Sequence, residues 1–330
     1  MAVDWGYSRV NGPDTWQSHF PDCQGERQSP IDINPIDIKT LHGNRKLEWR
    51  YIPENIEELV NPGYCWKVHV KGEGSETHPD LPPLNQGTIS KIEAQYREMG
   101  HARKVPSKRQ AVVDDDTKLN LLLALEENPI TPARQLARDS NLNHKTMGKY
   151  ELEQFHCHWG ETDDQGSEHT INGTKFAGEL HLVHWNTTKY HSFEEAAKHP
   201  DGLCVIGLLI KPGKKHHEID KIVAQLKNIE YKGQSTKISI PLNPANFFPY
   251  DTSYYTYQGS LTTPPCSECV IWIVFKEPME ISHDQLAAFR TIKSYCRQDV
   301  CPGDEFDGCV KTNCRPTVPI GKREVKECRQ

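Results

Sequence analysis

Short runs rich in Val, Ile, Thr and aromatic residues, broken by Gly, Pro and Asn, recur along most of the chain. Those with strand length are Cys65–Val70, Leu152–Trp159, Gly178–Asn186, Cys204–Lys211, Lys237–Ile240, Tyr254–Gln258 and Val270–Lys276. Helical spacing of apolar residues is sparse outside the middle of the chain. Ser192–Lys198, His217–Leu226 and Ser282–Tyr295 fit it best, with Ser192 and Ser282 as candidate N-caps. The pattern predicts a sheet with a few short helices.

Residues Glu76–Gly148 break this texture. The stretch opens with THPDLPPL, passes through the basic HARKVPSKR and the acidic Asp114–Asp116, and then turns apolar at helical spacing from Thr117 to Glu127. That predicted helix stops at Asn128-Pro129. A second begins at once, because Thr131 followed by Pro132 is an N-cap with proline at the first helical position. Asn141 then offers a turn before Asn143. Helix, turn, helix, turn is the outline of a small DNA-binding unit.

Composition narrows the class of protein. With 330 residues, 25% charged and 36% hydrophobic, the chain suits one large domain or a medium one with something extra. No window approaches the about 20 consecutive apolar residues of a membrane span, and MAVDWGYSRVNGPDTW lacks the features of a secretory signal. The expected location is the cytoplasm. A formal charge of −6 removes any whole-chain argument for nucleic acid or an anionic membrane. Eleven cysteines spread over a long chain are not a small disulfide scaffold, and reduced thiols are expected. Two sub-patterns leave a second metal or a redox pair open: Cys266-Ser-Glu-Cys269, and the cluster Cys296, Cys301, Cys309 and Cys314. Neither has the paired knuckle spacing of a zinc site.

The strongest local signal is Gln154-Phe-His156-Cys-His158-Trp-Gly160. Side chains at i and i+2 of a strand share a face, so both imidazoles can point at one atom. His-x-His alone is weak, since histidines also alternate on polar sheet faces. Gly178-Glu-Leu-His181-Leu-Val-His184-Trp185 adds a histidine on a second predicted strand. Three imidazoles without an obvious fourth protein ligand describe a catalytic zinc with an open position.

At this point the sequence resembles the α-class carbonic anhydrases. The segments DWGY, RQSPIDI, LVNPGY, QFHCHWG, GSEHT, AGELHLVHWN, YQGSLTTPPCSECVIW and NCRPTVPIG carry the resemblance from one end of the chain to the other. VNPGYCW and CPGDEFDGC make it most similar to the cytosolic invertebrate members. The resemblance implies an α+β, mainly β fold: a large, mostly antiparallel twisted central sheet with short peripheral helices. It implies Zn2+ as cofactor, CO2 and bicarbonate as substrates, a lyase (carbonate dehydratase) activity, and a monomer. Matched motif by motif, His156, His158 and His181 stand for the zinc ligands, Thr262 for the gatekeeper hydroxyl, and Glu168 for the carboxylate that takes its proton. Gln154 and Glu179 would orient His156 and His181. Val183, Val205, Leu261 and Trp272 would form the apolar wall for CO2, although their plain reading is sheet core, and Thr263 would lie on the hydrophilic side.

Zinc held by neutral imidazoles lowers the pKa of a bound water from ~15.7 to about 7, carbonic anhydrase being the standard example of that effect. Fast members of the family then use a histidine to carry the proton to buffer. Tyr64 occupies that place here, and a phenol with pKa near 10 is a poorly matched relay. Pro62 and Lys67 also depart from the fast members, whereas Tyr7 and Asn61 of the proton network are retained. His169 and His184 are expected to be hydrogen-bonded inside, and His191, His216 and His217 to be surface positions. Cys23 and Cys266 sit where secreted relatives form a disulfide; in a cytosolic chain both are expected reduced, with closure of the pair on oxidation as the alternative.

The resemblance accounts for residues 1–75 and 149–330 and leaves 76–148 as an insertion where the family has a short loop. LLLALEENPITPARQLARDSNLNHKTM resembles the helix-turn-helix of mariner-type transposases, with Arg134 and Arg138 on the turn-facing helix, but lacks the continuation of the third helix. The leading expectation is a non-functional, partly helical or disordered insertion. Regulatory docking and DNA binding are its alternatives, and nucleic acid is not an expected partner. A non-catalytic carbonic-anhydrase-related binding protein is the rival for the whole chain. Such proteins usually lack a zinc ligand, and here all three histidines are present.

Overall fold

The structure is a computed structural model that describes residues 5–41, 45–71, 120–125 and 149–329. In chain order the described strands are β1 (Asp32–Ile33), β2 (Lys39–Leu41), β3 (Arg45–Arg50), β4 (Ile56–Val60), β5 (Lys67–Val70), β6 (Asn120–Leu125), β7 (Lys149–Trp159) and β8 (Thr170–Ile171). They continue with β9 (Gly178–Asn186), β10 (Leu203–Pro212), β11 (Ser235–Lys237), β12 (Tyr254–Gly259), β13 (Val270–Phe275), β14 (Met279–Ile281) and β15 (Lys326–Cys328). The α-helices are short: α1 (Pro13–Trp16), α2 (Phe193–Ala196), α3 (His217–Val223) and α4 (His283–Phe289). Ser192 caps α2, and Ser282 with Gln285 forms a capping box on α4.

One large sheet runs β11-β4-β5-β7-β9-β10-β13-β12-β15-β2, with β14 beside β10 and β6 bridging β3 to β7. Pairing is antiparallel except for β10 with β13, β10 with β14, and β15 with β2. The fold is therefore mainly β, a large mixed and mostly antiparallel sheet with short peripheral helices. Its centre, β7, β9, β10 and β13, is buried on both faces, one of them carrying apolar side chains throughout and the other mixing apolar with buried polar side chains. Phe155, Cys157, Leu180, Leu182, Ile206 and Leu208 pack on one face. Val183, Val205, Leu209, Trp272 and Val274 pack on the other.

Several expectations need correction. The predicted helix Thr117–Glu127 holds strand β6 instead, paired antiparallel with β3 along Asn120–Leu125 and with Lys149–Glu151 of β7. An uninterrupted leucine run does not distinguish helix from buried strand, and a free edge of β7 beyond β5 decides for the strand. The remainder of the helix-turn-helix reading, Glu126–Gly148, lies outside the described residues. Lys237–Ile240 is displaced toward the N-terminus, the strand being Ser235–Lys237. The helix expected to reach Tyr295 ends at Phe289. His216 is half-buried with its ring tilted against Phe247, centroids 5.6 Å apart, whereas His191 and His217 are exposed as expected.

Cys23 and Cys266, expected as thiols, are joined in a disulfide with their Cα atoms 4.9 Å apart. The two loops are also clamped without it. Arg315 donates to the Cys23 carbonyl and to Gln28 Oε1, and Gln28 Nε2 donates to the Cys266 carbonyl. Cys269, Cys296, Cys301, Cys309 and Cys314 are free thiols. With Cys266 bonded to Cys23, the C-x-x-C spacing is not a redox pair. No metal-holding group among the described residues includes the C-terminal cysteines.

Candidate metal centre

The centre lies where β7 and β9 run side by side. Their register pairs Gln154 with Val183, His156 with His181, and His158 with Glu179. Alternation puts all six side chains on one face of the sheet. The row continues across β10 and β13, where Val205 is opposite Val183 and Trp272 opposite Val205. An apolar wall thus stands directly beside the histidines.

His156, His158 and His181 each offer one ring nitrogen, and these atoms lie within 4.8 Å of one another. The ring centroids are 4.6 to 5.4 Å apart. The other nitrogen of each ring is already committed. His156 Nδ1 faces Gln154 Oε1 at 2.8 Å, His158 Nδ1 faces the Asn313 carbonyl at 2.7 Å, and His181 Nε2 faces Glu179 Oε1 at 2.8 Å. These acceptors require the proton on the committed nitrogen and leave a lone pair on the converging one. His158 Nε2 is buried without a hydrogen-bond partner, which in a satisfied interior would be costly. Burial holds the His156 and His181 rings below the usual imidazole range and His158 at about 4, so all three are neutral at pH 7. Neutral imidazoles with lone pairs converging from three directions suit a zinc ion with an open position.

A second group, His169, Glu179 and His181, is also close enough to hold an ion. Its atoms are already used on one another: His169 Nδ1 faces Glu179 Oε1 at 2.7 Å, and its Nε2 faces the Tyr257 hydroxyl at 2.6 Å. His184, likewise buried, faces Tyr51 Oη and the Cys204 carbonyl.

Glu179 is the hub behind the centre. It is fully buried and accepts from His181 and His169, and through Oε2 from the backbone N–H groups of Glu168 and His169 at 3.0 and 2.7 Å. Burial alone would raise its pKa. The imidazole contacts outweigh it and hold the carboxyl well below the usual carboxylate range. That direction stands even with neutral rings, because four N–H donors favour the anion. Gly207, opposite His181, leaves the room: a Cβ there would lie 2.9 Å from Glu179 Oε1.

Glu168 is held by the Arg315 backbone N–H on Oε1 at 2.9 Å, while Oε2 is buried without a hydrogen bond, 3.4 Å from His158 Nε2. Burial raises its carboxyl to about 7; the His181 ring opposes that rise, the Glu179 charge adds to it, and hydrogen bonds from Thr262 and the Arg315 N–H oppose it. A dication on the imidazoles would pull it back down.

A cavity of about 340 Å³ opens onto this face, lined by His156, His181, Val183, Val205, Leu261, Thr262, Thr263 and Trp272 with Tyr64 at its edge. All the expected wall residues are therefore assembled. Tyr7 is placed in an adjoining cleft of about 750 Å³ that shares Tyr64, and its hydroxyl is buried without a partner. Asn61, expected in a proton network, is not among the cavity's walls. Its Nδ2 serves the carbonyls of Ile229, Glu230 and Lys293 and its Oδ1 accepts from Gly63 N–H, so it shapes the turn that presents Tyr64. Asn313, unforeseen in this role, contributes its carbonyl to His158 and its side chain to Trp159 N–H, the Tyr64 carbonyl and the Cys157 carbonyl. The NCRPTVPIG motif marked its position but no spacing connected it to the histidines. Lys67 and His69 also line the cavity, on β5 beside β7.

With that geometry in place, comparison with known proteins is informative. The family profile described as eukaryotic-type carbonic anhydrase matches residues 11–100 and 101–329. Carbonic anhydrase 3 of Sus scrofa is 35% identical over 328 residues, covering 99% of this chain and 98% of that protein. Carbonic anhydrase 3 of Homo sapiens is 36% identical and that of Mus musculus 34% identical, each over 326 residues with the same coverage.

Proposed function

Since the chain belongs to the eukaryotic-type carbonic anhydrase family and is a carbonic anhydrase lyase acting on CO2 and bicarbonate, we propose which of its residues do the work. The family is zinc-dependent, and His156, His158 and His181 are the ligands in this reading. The observation that carries it is the set of three converging imidazole nitrogens whose opposite nitrogens are all held by acceptors. Bound there, zinc supplies a hydroxide at neutral pH, an effect for which carbonic anhydrase is the standard case.

The chain's own residues then orient and exclude. Thr262 would donate its hydroxyl hydrogen in a hydrogen bond to Glu168, leaving its oxygen to accept a hydrogen bond from a group bound at the histidine end of the cavity and so to orient that group. For this Glu168 has to be ionised, and the Arg315 N–H supports that state. Val183, Val205, Leu261 and Trp272 hold a small apolar substrate against the histidines and keep water off that side, while Thr263 faces the hydrophilic half. Gln154, Glu179 and the Asn313 carbonyl fix the imidazole tautomers. Tyr64 and Tyr7 mark the proton's way out, and Tyr64 makes that step slow.

The same reading takes residues 1–75 and 149–330 as the catalytic domain, interrupted by 76–148, although β6 joins its sheet. It places the protein in the cytoplasm as a monomer without nucleic-acid or membrane partners. No helix among the described residues is long and apolar enough to cross a membrane. The Cys23–Cys266 bond runs against a reducing compartment; trapping the thiols at lysis and mapping them tests the location. Zinc content and CO2 hydration, compared for the full chain and for one lacking 76–148, test the function. Zinc and activity in both are expected. A zinc-free, inactive full chain beside an active deletion would show that the insertion breaks the site.

A further inference from the structure

Lys67 is the unexplained charge of the cavity. It sits on β5 opposite His156 of β7 and lines the same space as His156, Thr262 and Thr263. Its ammonium donates to Tyr64 Oη at 3.4 Å and lies 5.7 Å from the centroid of that ring. No carboxylate lies within ion-pair distance of it among the described residues. Glu153 is on the cavity wall but is not paired with it, and His69 two residues on brings no negative charge. A cation on the cavity wall without a carboxylate partner makes that part of the cavity electropositive, and the ligand that complements it carries negative charge.

We propose that Lys67 and Tyr64 form an anion subsite in the cavity, specific for small planar carboxylates and above all for bicarbonate, the charged partner of the reaction. The geometry favours two-point recognition. Because the Tyr64 oxygen accepts from Lys67, its own O–H is free to donate, so an ammonium and a hydroxyl converge on neighbouring positions. A planar anion with two oxygens can take both bonds at once, whereas CO2, being neutral, gains nothing from the charge. The site therefore distinguishes the two ends of the reaction by charge: Lys67 holds the anionic one longer. The inference rests on the metal reading above, which places the reacting end of the cavity at the histidines.

The test is calorimetric titration of the zinc-loaded, full-length protein with bicarbonate, formate and, as a neutral match in shape, formamide. Lys67→Gln is expected to weaken bicarbonate and formate roughly fivefold to tenfold, and Tyr64→Phe about twofold. Lys67→Arg is expected to stay within about twofold of the unmodified protein, with formamide equal in every variant. Added salt is expected to reduce anion affinity more in the unmodified protein than in Lys67→Gln. Equal anion affinity in Lys67→Gln, or an equal loss for formamide, overturns the subsite. Zinc is quantified in the same samples: an unmodified protein that retains no zinc overturns the metal reading and this inference with it, whereas full zinc with charge-independent binding overturns the subsite alone.

Discussion

Replacing Glu179 with glutamine preserves size and shape but removes one acceptor oxygen and the charge. The carboxylate serves four N–H donors: the rings of His181 and His169 through Oε1, and the backbone N–H groups of Glu168 and His169 through Oε2. Glutamine has one carbonyl oxygen for these two pairs. If that oxygen faces the backbone, the new NH2 faces His181 Nε2, which must become an acceptor. The His181 proton then moves to the nitrogen aimed at the metal and blocks it. If the oxygen faces the imidazoles, the NH2 opposes two backbone N–H groups. Either way two buried donors or acceptors lose their partners, at about 1–3 kcal/mol each, so the metal-free fold should lose about 2–6 kcal/mol. That is a large share of an ordinary domain's stability. In protein that remains folded, zinc affinity should fall about 10- to 100-fold. Denaturant unfolding of the metal-free protein reads the first quantity, and chelator competition reads the second. Zinc affinity within twofold of the unmodified protein together with an unchanged unfolding midpoint would refute the hub argument.

Three further outcomes follow from the same geometry. Burial pushes the Tyr64 phenol above its ordinary range, so the phenolate, the only form of this side chain able to take up a proton, is scarce at neutral pH. Tyr64→His, or imidazole added to a weakly buffered assay, should therefore raise kcat about tenfold or more, and no gain from either would remove Tyr64 as the bottleneck. Asn313→Ala strips partners from Trp159 N–H and from the Tyr64 and Cys157 carbonyls, and should cost about 3 kcal/mol in denaturant unfolding with faster zinc loss; a cost under about 1 kcal/mol contradicts that role. His158 and His184 are both lowered to about 4 by burial, so in the folded state they resist protonation that the unfolded chain accepts near 6.5. The metal-free protein should hold its full stability above pH 6.5 and lose it steadily toward pH 4, and a melting temperature flat across that window would count against neutral buried rings.

Much of the centre was legible because its grammar is local. The i, i+2 spacing of His156 and His158 puts both on one face by strand geometry alone, and Gly178–Asn186 is a strand at the predicted limits. What could not be read is contributed from far along the chain. Asn313 reaches His158 across 155 positions, and Arg315 reaches Glu168 across 147; neither separation leaves a periodic trace. Asn61 shows a role that the motif did not reveal. The motif pointed to a proton network, and the structure adds that its amide donates to three carbonyls from two distant loops. Strand β6 failed for another reason: a leucine run satisfies a helix as well as a strand, and only the open edges of β3 and β7 choose between them. The disulfide is the alternative to the expected thiols: compartment set that expectation, whereas Arg315 and Gln28 bring the two cysteine loops together on their own.

The most direct test of the account is stopped-flow CO2 hydration by the full-length chain after zinc has been stripped and then restored in known amount. Activity that disappears on stripping and returns in proportion to zinc, saturating at one ion per chain, is the predicted result. A folded chain that takes up one zinc and hydrates no CO2 would contradict it.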